Sequence, residues 1–217
     1  KGDASRRVPW DVVSNRKGVD GGLTARVREA APYGIVYTQA LRGRHDKAMA
    51  GNDDRDARKA TMQGALLAQR QILADVLGRP AETIPQAFTP YKEVLDVYDR
   101  GLQLPDDVTI IWPDDNYGYM KRLSSPAEQK RSGRSGVYYH SSYLGRPHDY
   151  LWMNTTSPTL MYEELRKAYD STADRIWLLN AGDIKSCEFA VDFFLTMARD
   201  IDAFDFERAA NYRAEWM

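Results

Sequence analysis

Five short apolar runs punctuate this chain, and each is followed at once by residues able to do chemistry. They are residues 34–40 (GIVYTQA), 84–88 (IPQAF), 108–112 (VTIIW), 136–139 (GVYY) and 175–179 (RIWLL). The residues that follow include Arg42, His45 and Asp46; Tyr91 and Glu93; Asp114, Asp115 and Asn116; His140 and Tyr143; and Asn180 and Asp183. Strands buried on both faces read as continuous apolar runs, because helices cover each side of a parallel sheet. The runs start about 25 to 50 residues apart, enough for a helix and two loops in each interval. This βαβ rhythm predicts an α/β fold. In such folds, functional groups gather at the carboxyl ends of the strands.

The intervals carry helix signals. Residues 56–77 place Ala60, Ala65, Leu66, Ile72, Leu73 and Leu77 at broadly helical spacing, stopped by Gly78-Arg79-Pro80. Ser125-Pro126-Ala127-Glu128 has the capping-box pattern, with proline at the first helical position. Ser157-Pro158 opens a stripe of Leu160, Met161, Leu165, Ala168 and Tyr169 over residues 159–170. Residues 188–199 are apolar around most of the circumference, as befits a helix packed between two layers. Residues 48–58 (AMAGNDDRDAR) read as a polar loop at the barrel mouth, and Pro105-Asp106-Asp107 as a tight turn. Residues 1–33 form a lead-in, the end of a preceding unit followed by a helix over 21–31, and residues 34–217 carry the five strand units.

Composition narrows the classes. At 217 residues and 43% hydrophobic, the chain can bury a full core. Its 30 basic and 31 acidic residues leave a net charge of −1, without the basic footprint of a nucleic-acid or anionic-membrane binder. No apolar run approaches the roughly 20 residues of a membrane-spanning helix. The single cysteine, Cys187, cannot form an intrachain disulfide and reads as a small buried apolar residue. The chain opens on Lys1 with no secretory pattern, so its first residues do not report a compartment.

The candidate chemistry centres on carboxylates. Asp46 and Glu93 follow successive runs and can flank one pocket from neighbouring strands, which lie about 4.8 Å apart. Inverting glycoside hydrolysis needs one protonated and one ionised carboxyl about 6.5–9.5 Å apart, leaving room for a water. Arg42, four residues before Asp46, suits a substrate carboxylate; it suits an ion-pair role toward Asp46 or Asp114/Asp115 equally well. Asp114-Asp115-Asn116 is the densest polar cluster, fit for Mg²⁺ or Ca²⁺, for sugar hydroxyls or for a plain turn. Strand alternation puts Tyr139, Ser141 and Tyr143 on one face, with Tyr138 and His140 on the other. His45, His140 and His148 are the only histidines, and no zinc spacing, GxSxG, P-loop or GxGxxG occurs.

In order, VYTQALRGRHDKAM, TIPQAFTPYKEVLDVYDRGLQLPDDVT, IIWPDDNYGYMKRL, GVYYHSSYLGRPHDYLWMNT and RIWLLNAGDIKSCEFAVDFFL resemble the catalytic barrel of glycoside hydrolase family 115. These are the xylan α-1,2-glucuronidases. The resemblance covers residues 36–200, and PDDVTIIWPDDNYG followed by GVYYH-S-Y is its most distinctive part.

The resemblance implies a partial (β/α)8 barrel, strands four to eight. Strands one to three and the flanking domains of the parent enzyme lie outside the chain. It further implies removal of α-1,2-linked (4-O-methyl)glucuronic acid from glucuronoxylan or its oligosaccharides, with inversion, without a cofactor, in a periplasmic or secreted setting. By motif, Glu93 is the general acid and Asp46 the general base, with the two roles open to exchange. Arg42 holds the uronate, and Tyr91, Asn116, Tyr143 and Asn180 position the sugar; the family's NVGD-like motif reads NAGD here. Two alternatives stay open: a Mg²⁺-dependent barrel enzyme using Asp114, Asp115 and Asn116, and an inactive glycan-binding fragment.

Overall fold

A computed structural model describes residues 12–42, 49, 54–143, 154 and 156–217. Five parallel strands alternate with helices, an α/β partial barrel. The chain packs as two compact units, Lys1–Val108 and Thr109–Met217.

The first unit holds α1 (Arg16–Ala30), β1 (Tyr37–Gln39), α2 (Arg55–Leu77), β2 (Gln86–Phe88) and α3 (Glu93–Asp99). β1 and β2 run parallel, with Tyr37 opposite Gln86 and Gln39 opposite Phe88. The first apolar run yields a strand of only three residues. Ile35 and Val36 remain 39% and 45% exposed before β1 begins. α2 starts where Asp54 accepts the backbone N–H of Asp56, and it stops at Gly78, whose positive φ of 64° suits glycine. Residues 55–58, expected in a loop, are therefore the first turn of α2. The remainder of the expected loop, apart from Met49 and Asp54, lies outside the described residues. Phe88 packs with Met62, Ala65 and Leu66 of α2 and with Val94 and Val97 of α3. That burial fixes the strand end from which the next loop departs.

The second unit holds β3 (Thr109–Pro113), β4 (Ser135–His140), α4 (Pro158–Asp170), β5 (Trp177–Asn180), α5 (Ile184–Arg199) and α6 (Phe206–Trp216). β4 lies between β3 and β5, parallel to both, with Pro113 opposite Tyr138 and His140 opposite Asn180. Tyr139, Met161, Leu165, Phe193, Phe194 and Met197 form one buried cluster that joins β4 to α4 and α5. Cys187 lies fully buried on α5, as its apolar reading anticipates. α5 begins four residues before the periodic stretch that announced it. α6 has no clear signal in the sequence, because it buries only Ala209 and Tyr212.

One local reading needs correction. The capping box at Ser125 forms, with Ser125 N–H to Glu128 Oε2 at 2.7 Å and Glu128 N–H to Ser125 Oγ at 3.3 Å. Yet it heads only a 3₁₀ turn, Glu128–Lys130. The cap satisfies a helix start, but no buried stripe follows to prolong it. Ser157 does cap a full helix, accepting from Leu160 N–H at the head of α4. α4 carries the apolar stripe, and with it a buried acid, Glu164, that the stripe does not reveal.

Candidate functional site

In the first unit, the predicted residues converge on the carboxyl ends of β1 and β2. Arg42, three residues past β1, donates from Nε to Glu93 Oε1 at 3.3 Å and from Nη2 to Oε2 at 3.4 Å. Arg42 is 20% and Glu93 23% exposed, so the pair is half-sheltered and open to a ligand. The Arg42 guanidinium also lies 5.7 Å from the centre of the Tyr91 ring, within cation–π range. Glu93 is not among the partners that the sequence suggests for Arg42, which are Asp46 and Asp114/Asp115. Asp46 and His45 lie outside the described residues.

Local backbone chemistry explains how Glu93 is held. Tyr91 N–H bonds back to Thr89 O at 2.9 Å, closing a tight turn directly after β2. Lys92 then takes φ 52° and ψ −124°, a conformation that costs a non-glycine residue about 1–3 kcal/mol. Glu93 follows as the first residue of α3, where the helix dipole favours a carboxylate. Val94 and Val97, both buried, anchor the helix and supply the packing that holds the strained residue. Glu93 is therefore a helix residue, but it is neither freely solvated nor without a charged partner.

In the second unit, Asn116, Tyr143 and Asn180 join a network around a buried pair that the sequence reading did not single out. Asp114, immediately after β3, is 1% exposed, as is His140 at the end of β4. His140 Nδ1 lies 2.6 Å from Asp114 Oδ1, and His140 backbone N–H donates to Oδ2 at 3.0 Å. A carboxylate only accepts, so the imidazole donates from Nδ1. Asn116 backbone N–H donates to the same Oδ1 at 3.0 Å. Asn116 adopts φ 78°, a left-handed conformation that asparagine tolerates better than most residues. Tyr138 lies 4.7 Å from His140 between ring centres, and its hydroxyl accepts from Asn180 Nδ2 at 2.6 Å. Tyr143 meets His140 edge-on at 5.6 Å.

This arrangement corrects one expectation and shows what the acidic cluster binds. Tyr143 does not share a face with Tyr139, because β4 ends at His140 and alternation ends with it. Tyr139 instead points into the core against Phe194. The acidic cluster is committed to the protein's own donors. Asp114 holds His140 and Asn116, and Asp115 Oδ1 accepts from Tyr117 N–H at 2.8 Å and Tyr119 N–H at 3.2 Å. Those bonds engage both Asp114 oxygens and Asp115 Oδ1. Among the described residues no group of three His, Cys, Asp or Glu is placed to hold a metal ion. The signal that could have found Asp114 and His140 is their shared position, each at or just past the end of adjacent parallel strands.

The family model described as glycosyl hydrolase family 115 matches residues 2–217. No curated protein matches the chain. Among solved structures, the chain is similar to a protein described as a novel family GH115 4-O-methyl-α-glucuronidase, BtGH115A, with specificity for decorated arabinogalactans. The two are 43% identical with a TM-score of 0.87, over 91% of this chain and 26% of that one. The chain thus spans about a quarter of the length of that relative. With residues 2–217 inside the family model and 43% identity to that relative over 91% of the chain, the chain belongs to glycoside hydrolase family 115.

Proposed function

We propose that this chain forms strands four to eight of the catalytic barrel of an α-glucuronidase. The enzyme removes α-1,2-linked glucuronic acid, or its 4-O-methyl ether, from glucuronoxylan side chains. The observation that carries the proposal is the convergence of Arg42, Tyr91 and Glu93 on adjacent strand ends. A guanidinium beside a half-sheltered carboxyl is suited to capture a uronate, whose carboxylate can replace Glu93 in the charge-assisted pairing. That exchange frees Glu93 from its ion pair; the carboxylate takes up a proton from solvent and delivers it as general acid to the glycosidic oxygen. Asp46 activates the water from the opposite face, giving inversion and requiring no cofactor.

The second unit contributes positioning groups. Asn116, Tyr143 and Asn180 hydrogen-bond the sugar. Asp114 acts through Asn116 and His140 as a positioning residue, holding both in place. Strands one to three belong to the active enzyme and supply the rest of the barrel.

The test is release of (4-O-methyl)glucuronic acid by the full-length protein from glucuronoxylan, with the anomer of the freed sugar followed by proton NMR. Uronic acid released first as the β-anomer supports the reading; release with retained α-configuration removes the inverting mechanism. A second substrate class is favoured by the name of the 43% identical relative, which specifies decorated arabinogalactans. Faster release from such an arabinogalactan than from glucuronoxylan would assign that backbone instead. Glycan binding with no release from either would mark a glycan-binding protein.

A further inference from the structure

We propose that Tyr117 forms a sugar-stacking subsite for the backbone residue that carries the uronic acid. The proposal rests on the α-glucuronidase reading above and adds a contact to its leaving-group side.

Tyr117 is 39% exposed, yet the loop that carries it is held in one conformation from several directions. Its own N–H donates to Asp115 Oδ1 at 2.8 Å. The next residue, Gly118, has φ 97°, and its carbonyl accepts from the buried Tyr139 hydroxyl at 2.9 Å. A Cβ on Gly118 would fall 2.8 Å from that hydroxyl, so the loop can approach the core only with glycine there. Two residues further on, Met120 N–H donates at 2.8 Å to Glu164, the buried acid on α4. Glu164 is in turn paired with Lys167 at 2.6 Å. The bonds grip the backbone on both sides of Tyr117, while its ring stays open to solvent.

Tyr117 presents an exposed aromatic ring from a held backbone, which lowers the entropy lost when a ligand covers it. The Tyr117 ring meets Tyr143 edge-to-face, with centres 6.2 Å apart. Tyr143 in turn meets His140, so Tyr117 stands beside a group proposed above to position the uronic acid. The electron-rich face of a tyrosine matches the C–H face of a pyranose. A sugar joined to the bound uronic acid is the group such a ring would cover.

The test compares two substrates on the full-length enzyme: α-glucuronosyl fluoride, whose leaving group is a single atom, and a glucuronic acid-decorated xylo-oligosaccharide. Tyr117→Ala should raise KM for the oligosaccharide roughly tenfold with little change in kcat, the pattern of a lost binding contact. The fluoride should stay within about twofold of the parent, which also shows that the variant is folded. Tyr117→Phe keeps the ring face and should preserve both activities. Equal losses on the two substrates, no loss on either, or failure of Tyr117→Phe to preserve the oligosaccharide KM would overturn the subsite. If the parent releases uronic acid from neither substrate, the enzyme reading fails while the subsite remains testable. Calorimetric titration of the uncleaved oligosaccharide should then show roughly tenfold weaker binding to Tyr117→Ala, and equal affinities would refute it.

Discussion

Arg42 and Glu93 meet at the ends of two paired parallel strands, joined by two hydrogen bonds of 3.3 and 3.4 Å. Both bonds are long for a charge-assisted pair, whose usual range is about 2.7–2.9 Å. The pair is thus within reach of exchange, and a ligand carboxylate can compete for the guanidinium. This relationship links the binding role of one residue to the catalytic role of the other.

Glu93→Gln in the full-length enzyme should lower the release of glucuronic acid by about 10²–10⁴-fold, the contribution of a positioned general acid. Glutamine retains the shape and can still accept from Arg42, so folding should be preserved. Turnover within a few-fold of the parent would remove Glu93 from the mechanism.

Arg42→Ala should weaken binding of a uronic acid far more than binding of the corresponding neutral sugar. Hydrogen bonds to charged groups are worth about 1.5–3 kcal/mol, or a loss of roughly ten- to a hundredfold in affinity. Competition measurements with glucuronate and glucose derivatives give the comparison. Equal losses would leave Arg42 only its structural pairing with Glu93.

Asp114→Ala should destabilise the fold by roughly 3–5 kcal/mol, because the buried His140 loses its partner and two backbone N–H groups lose their acceptor. Urea unfolding followed by tryptophan fluorescence measures this. A change below about 1 kcal/mol would show that the network is not what holds these strand ends together.

Stability should fall as pH rises above about 10, the usual phenol value. Burial, together with a 2.6 Å hydrogen bond to Asp192, raises the pKa of Tyr212. The sign follows from proton counts. Above the unfolded pKa the unfolded chain has lost the proton while the folded protein retains it, so stability declines until the folded pKa is passed. Lys167, also raised through Glu164, adds a decline of the same sign from its own unfolded value. Tyr212→Phe should flatten part of the alkaline loss in thermal melts across pH; an unchanged slope would contradict the assignment.

The 217-residue chain by itself should aggregate or bind apolar dyes, and it should lack glucuronidase turnover. Among the described residues, β1 pairs only with β2 and β5 only with β4, leaving one backbone edge of each open. Ile35 and Val36 are exposed just before β1, as is Leu178 within β5. A cavity of about 190 Å³ beside β1, lined by Leu23, Val27, Ile72 and Leu73, adds uncovered apolar surface. A monodisperse, cooperatively unfolding and active monomer would refute the partial-barrel proposal.

The five strands were legible as apolar runs, which a strand covered on both faces requires; β1 and β5 are only partly covered and keep only part of theirs. Gly78 and Ser157 likewise marked helix ends through chemistry confined to a few neighbouring residues, whereas Asp54, the cap of α2, reads as part of a loop. Arg42, Tyr91 and Glu93 could be named because they stand directly after apolar runs. Their contacts could not, since the Arg42–Glu93 pair joins residues 51 positions apart. The partners of the acidic cluster were hidden for the same reason. The fold brings the backbone and imidazole of His140, 26 residues later, onto Asp114. The helix that no pattern announced, α6, and the buried Glu164 show the same limit. Local rules act through residues close in the chain, whereas burial and hydrogen-bond satisfaction depend on which distant groups the packing brings together.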